Sequence, residues 1–211
     1  MKIANYLVLY SALIASTSQA AVIVVMDGGS PTLQSHTTVV DKSTGGDNIG
    51  SMTGSFSADA AGWTTSDTDY WNNTEYDFAG GSSSTATWTF SNLTVGSKWD
   101  VFSTWLPAGN RSTLAPYTIQ GGPTIPLNQQ SAPTADLVLN DGTAGQSSFN
   151  FKKIGDATVG VNGNLIVTLQ SAASGYVIVD AIALKQTAVP EPSSAALLGL
   201  GGLALVLRRR K

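Results

Sequence analysis

The sequence has no cysteine, which excludes disulfides and thiolate metal sites and leaves no thiol to protect during export. It has one histidine, His36, so a nucleophile that needs an imidazole base has a single candidate. No Gly-x-Ser-x-Gly elbow accompanies it, and an exposed loop histidine is the plainer reading. Charged residues make up only 12% of the chain, against about a quarter in ordinary globular domains. No apolar run reaches the about 20 residues of a full membrane span. Between Ala21 and Lys185 no segment has the periodicity of an amphipathic helix.

What is present is turn chemistry and strand chemistry. Glycine (22 residues), serine and threonine are abundant, as suits short strands joined by many turns. A hydrophobic fraction of 42% and five tryptophans separate the chain from disordered sequences. The 211 residues suggest one domain plus processing segments. Without the residues of the two ends, residues 21–188 carry six basic against thirteen acidic side chains, a net charge of about −7. Such a body repels phosphate backbones, so nucleic acid is not an expected partner.

The ends differ from the body. Residues 1–20 run from Lys2 through a short apolar stretch to Ser18-Gln19-Ala20, the order of basic start, apolar middle and small-residue exit that defines a secretory signal peptide. The C-terminus reads Pro190-Glu191-Pro192, then an apolar run over 195–207, then Arg208-Arg209-Arg210-Lys211. The prolines break any helix arriving from the domain, and the terminal cations stay on the cytoplasmic side. Helices are expected at the two ends alone, over roughly 4–16 and 193–207. The tail resembles the PEP-CTERM sorting signal, with Pro190, Glu191 and Pro192 as its motif. That resemblance implies recognition by an exosortase-type enzyme, transient inner-membrane association through 195–207, and a Gram-negative host that makes exopolysaccharide. The expected destination is the cell surface or extracellular matrix. An ordinary unprocessed anchor is the alternative, and it too places the body outside the cytoplasm.

Across residues 21–188 the pattern alternates. Ala86, Trp88 and Phe90 fall on one face and three threonines on the other. Lys98 to Val101 alternates likewise, with Ser91-Asn92 and Gly96-Ser97 bracketing the short connection before it. Leu165, Val167 and Leu169 alternate after Asn162-Gly163, a strong hairpin-turn signal. The nearly continuous apolar run from Tyr176 to Leu184 predicts one strand covered on both faces. Further strands are expected at 22–26, 37–41, 116–120, 135–139 and 147–154. The fold class is therefore all-β, an antiparallel β-sandwich of jelly-roll type. Trp88, Trp99, Trp105 and Tyr117 are assigned to its core.

Two features invite chemistry. Asp67, Asp69, Glu75 and Asp77 cluster in a polar stretch that reads first as a solvated acidic loop, then as a calcium site, and last as an acid–base pair. The first reading needs no metal or cofactor, and none is expected. Trp63, Tyr70, Trp71 and Tyr76 share that stretch, either as rings that stack on sugars or as plugs for the ends of the sandwich.

A longer pattern covers the body. It runs through Thr104-Trp105, Asn110-Arg111, Pro116-Tyr117, Asn128-Gln129-Gln130 and Gly175-Tyr176-Val177-Ile178-Val179-Asp180-Ala181. Over residues 38–185 it resembles the golvesin and xanthan-lyase carbohydrate-binding-like domain, with Val40, Asp41, Gly54, Ser55 and Phe56 at the family's opening. The resemblance implies a jelly-roll-like accessory module of secreted polysaccharide-active and surface proteins, without a catalytic residue. Asn110, Arg111, Pro116, Tyr117 and Asp180 are its structural motif. Asp180 lies in an apolar strand and must be hydrogen-bonded or paired, and Arg111, the one arginine of the body, is its expected partner.

The function expected is noncatalytic binding of an extracellular polysaccharide, with Trp71 and Tyr76 stacking on sugar rings and Asn72 and Asn73 bonding to hydroxyls. A structural adhesion or biofilm-matrix protein without a sugar site is the alternative. A polysaccharide-active enzyme comes third.

Overall fold

The computed structural model describes residues 23–27, 37–38, 53–58, 63–65, 71, 75–140 and 148–188. Among them are fourteen strands and no α-helix: β1 (Ile23–Asp27), β2 (Thr37–Thr38), β3 (Thr53–Ala58), β4 (Trp63–Thr65), β5 (Glu75–Phe78), β6 (Thr85–Ser91), β7 (Lys98–Ser103), β8 (Ala115–Ile119), β9 (Ile125–Leu127), β10 (Leu137–Leu139), β11 (Phe149–Thr158), β12 (Leu165–Gln170), β13 (Val177–Val179) and β14 (Ala181–Ala188). The expected terminal helices lie outside the described residues, as do Val40 and Asp41.

Three antiparallel sheets form. One has the order β10-β11-β7-β14-β1-β2, one the order β3-β6-β12-β8-β9, and a small one the order β13-β5-β4. The two larger sheets enclose the main core, as in a sandwich. On β6 every second side chain is buried, and Trp88 faces its partners Phe56 on β3 and Val167 on β12. The Phe56 and Trp88 rings meet at 5.4 Å, tilted by 49°.

The six-stranded sheet is covered on both faces. Val24, Met26, Val101, Ile182 and Leu184 point into the main core. Ile23, Val25, Phe102, Ala181 and Ala183 point the other way, into a second apolar cluster with Phe149 and Phe151. This explains why the sequence of β14 is apolar without alternation. A shift of register between Lys153 and Gly155 in β11 turns Asp156 outward opposite Asp100 and leaves Ala157 against the main core.

Two stretches differ from the sequence expectation. Tyr176 to Leu184 is two strands rather than one, because the chain leaves the small sheet at Asp180 and enters the six-stranded sheet at Ala181. Asn162-Gly163 joins β11 and β12, which lie in different sheets, so it is an arch and not a hairpin turn. Asn162 does not take positive φ; Gly163 does, at 67°, and donates to Gly160 O as the last residue of its turn. The link between β6 and β7 also passes from one layer to the other, and the two arches are tied by Leu93 N donating to Gly163 O at 2.9 Å.

Candidate functional site

The segments that form the long sequence pattern meet in space. The loop from Ala108 to Leu114 leads into β8, the loop from Asn128 to Ser131 follows β9, and Gly175-Tyr176 leads into β13. Backbone bonds hold them together: Tyr176 N to Asn110 O (3.0 Å), Ser112 N to Tyr176 O (2.7 Å) and Gln129 N to Ser112 O (2.9 Å). Gly175 has φ +74°, and a Cβ there would stand 2.8 Å from Arg111 O, so only glycine allows this approach. The Gln130 amide donates to Gly109 O (3.1 Å) and Arg111 O (2.9 Å), closing the loop.

Beneath this surface lies a buried polar network. Gln129 is wholly buried, and its carboxamide bonds both backbone groups of Ile178, accepting from N at 2.7 Å and donating to O at 2.8 Å. It acts as a one-residue strand along the edge of β13 opposite β5. The same amide nitrogen donates to the Tyr117 hydroxyl at 3.2 Å, as does Ser103 Oγ at 2.9 Å. Burial pushes the Tyr117 phenol well above its ordinary value; the bonds from Ser103 and Gln129 oppose this and the nearby Asp180 charge adds to it. The phenol therefore stays neutral and serves as a structural hydrogen-bonding group.

Each sequence-derived candidate has a place or lies outside the described residues. Asn110 is exposed in the turn, Pro116 is half-buried on β8 opposite Pro126, and Arg111, Tyr117 and Asp180 are buried. Asp180 sits at the step from β13 to β14, which accounts for a carboxylate inside an apolar run. Arg111 has an acidic neighbour, Asp77, whose sequence surroundings suggested a solvated loop. Asp77 is 1% exposed on β5, with Oδ2 3.9 Å from Arg111 Nη1. Its membership of a solvated acidic loop is thus corrected: Asp77 lies opposite Ile178 in the small sheet. Among the described residues no group of three acidic or histidine side chains converges on a metal position, and Asp67 and Asp69 lie outside them.

Trp71 requires the main correction. It is 1% exposed and packs edge-on against Phe149 (5.5 Å) and Phe151 (5.3 Å) in the second apolar cluster. An aromatic ring covering the outer face of a sheet offers no face to a sugar. Tyr76 is fixed by backbone pairing to Thr64 and Val179 in the small sheet, whereas Asn72 and Asn73 lie outside the described residues.

Burial raises the Asp77 carboxyl above its ordinary value of 3.8, and the Arg111 guanidinium lowers it by less. The folded state therefore binds this proton more tightly than the unfolded chain does. The stability that Asp77 contributes is full below 3.8 and is lost as pH rises through the raised value. Thermal melts of wild type and Asp77→Asn across that window should show a wild-type decline, relative to the variant, as pH increases. Parallel curves would mean that the carboxyl titrates normally.

Residues 188–211 match the PEP-CTERM protein-sorting motif, and the tail therefore carries the signal of an exported protein sorted at its C-terminus in association with the membrane, with an exosortase-type enzyme as reader. No curated protein matches the chain. Among solved structures, xanthan lyase of Paenibacillus is similar at 19% identity and a TM-score of 0.51, over 80% of this chain and 13% of the lyase. The chain thus spans about an eighth of that enzyme's length, and the likeness is one of fold.

Proposed function

We propose that the body is a noncatalytic module that holds extracellular polysaccharide at the cell surface or in the matrix of a Gram-negative bacterium, delivered there through its sorting tail. The observation that carries this reading is the state of the motif residues. Arg111, Tyr117, Gln129 and Asp180 are buried, and Gln129 ties its loop to β13 and to Tyr117, which suits a rigid accessory module better than a reaction centre. The sorting motif and the fold shared with a small part of a polysaccharide lyase support it. The burial of Trp71 favours a second reading, a structural adhesion or matrix protein with no sugar site.

Affinity electrophoresis of the protein through gels containing the host's exopolysaccharide separates the two. Retardation without shortening of the polymer is expected. Migration equal to that in an empty gel would favour the matrix protein, and a shortened polymer would make the protein an enzyme.

A further inference from the structure

We propose that the sugar site is the rim formed by Asn110, Thr113, Leu114, Asn128, Gln130 and Tyr176, and that its ligand is a neutral polysaccharide; this rests on the polysaccharide reading given above. All six residues are exposed, on the three segments that the backbone bonds and the Gln130 amide draw together. Tyr176 is 38% exposed and Leu114 65%, two of the six large apolar side chains exposed among the described residues, and Tyr176 is the aromatic one. An aromatic ring presented beside amides has the composition of a sugar platform: the ring covers the C–H face of a pyranose, Asn110 and Asn128 exchange hydrogen bonds with hydroxyls, and Gln130, whose N–H groups hold Gly109 O and Arg111 O, accepts through its amide oxygen.

Rigidity distinguishes this rim from an ordinary surface patch. Tyr176 bonds through its N–H and its C=O to Asn110 and Ser112, Gly175 is pinned against Arg111, and the buried Gln129 holds the strand that follows. A platform fixed before binding loses little entropy when the ligand arrives, which a shallow site requires. The class of ligand follows from charge. In segments 109–114, 128–131 and 174–176 the one charged residue is Arg111, which is buried. The rim therefore offers an anionic sugar no exposed cation, and the body's net charge of about −7 repels a uronate polymer. Neutral hexose chains meet neither obstacle.

The full-length protein should be run through gels holding a neutral β-glucan, a neutral galactomannan or acidic xanthan. A neutral polymer should retard the wild type and xanthan should not. Tyr176→Ala should raise the apparent Kd by about tenfold, whereas Tyr176→Trp should keep the interaction. Asn110→Glu, which places a bulky charge in an exposed turn, should weaken it too, with the melting temperature reported for each variant. If a neutral polymer retards the protein and neither Tyr176→Ala nor Asn110→Glu changes this, the rim is overturned and polysaccharide binding stands. Retardation by xanthan alone overturns the neutral class. If none of the three retards the wild type while the host's exopolysaccharide does, the neutral class is overturned and polysaccharide binding stands; if the host's polymer fails too, the polysaccharide reading fails and takes the rim with it.

Discussion

Replacing Trp71 by alanine should destabilise the domain by about 3–5 kcal/mol, the usual loss for a buried aromatic side chain. Trp71 shares a cluster with Ile23, Val25, Phe102, Ala181 and Ala183 and makes edge contacts with Phe149 and Phe151. Such edge contacts contribute about 0.5–1.5 kcal/mol beyond area burial. Its removal would open the outer face of the six-stranded sheet, on strands whose opposite face forms the main core. Urea unfolding should show a lower midpoint for Trp71→Ala and a smaller change for Trp71→Phe, which keeps a ring in the same place. Where folded, the alanine variant should still bind any polymer that the wild type binds. An unchanged midpoint would return the ring to the surface and restore it as a candidate sugar contact.

That contrast shows what the sequence displays. Alternation identified β6 and β12 and their buried faces, because a strand with one face buried and the other open repeats every second residue; on β7 it holds only from Lys98 to Val101, before Phe102 turns to the second cluster. It could not show which strands pair. Asn162-Gly163 has the composition of a hairpin turn, yet β11 and β12 part to opposite layers, and turn composition does not record the partner. Trp71 stands among polar residues, so its neighbours Phe149 and Phe151, nearly eighty residues away, were invisible to any local pattern. The same holds for Asp77, whose nearest acidic residues in sequence suggested a solvated loop, although Phe78 before Ala79-Gly80-Gly81 was a signal for a strand end. Asp180 was legible because a carboxylate inside an apolar run demands a special environment. Gln129 was part of a quoted motif but had no assigned role: a glutamine that bonds backbone is composed like one that faces water.

The role of that glutamine leads to the second large effect. Gln129→Ala should lower stability by about 4 kcal/mol, since stranding a buried donor or acceptor costs about 1–3 kcal/mol each and two are stranded. These are the N–H and C=O of Ile178, held at 2.7 and 2.8 Å on the edge of β13 opposite β5. The Tyr117 hydroxyl loses a donor as well, keeping the one from Ser103. Among the described residues no neighbouring strand supplies replacements, because β13 is the end strand of its sheet there. Gln129→Glu tests the mechanism more sharply. The ionised side chain would still accept from Ile178 N, but it would set an oxygen against Ile178 O and add a buried negative charge near Asp180, whose field already reaches Tyr117. Burial favours the protonated form, which has a hydroxyl to donate to Ile178 O. The folded-state value of this glutamate would lie above its unfolded value, so stability should recover as pH falls and be lost as pH rises through the raised value. Urea titrations at neutral and mildly acid pH should therefore bring Gln129→Glu closer to wild type in acid, while Gln129→Ala stays equally far below it at both. A glutamate variant as stable as wild type at neutral pH would mean that the carboxamide does not hold β13, and the tie between the Asn128–Ser131 loop and the strand after Tyr176 would have to come from elsewhere.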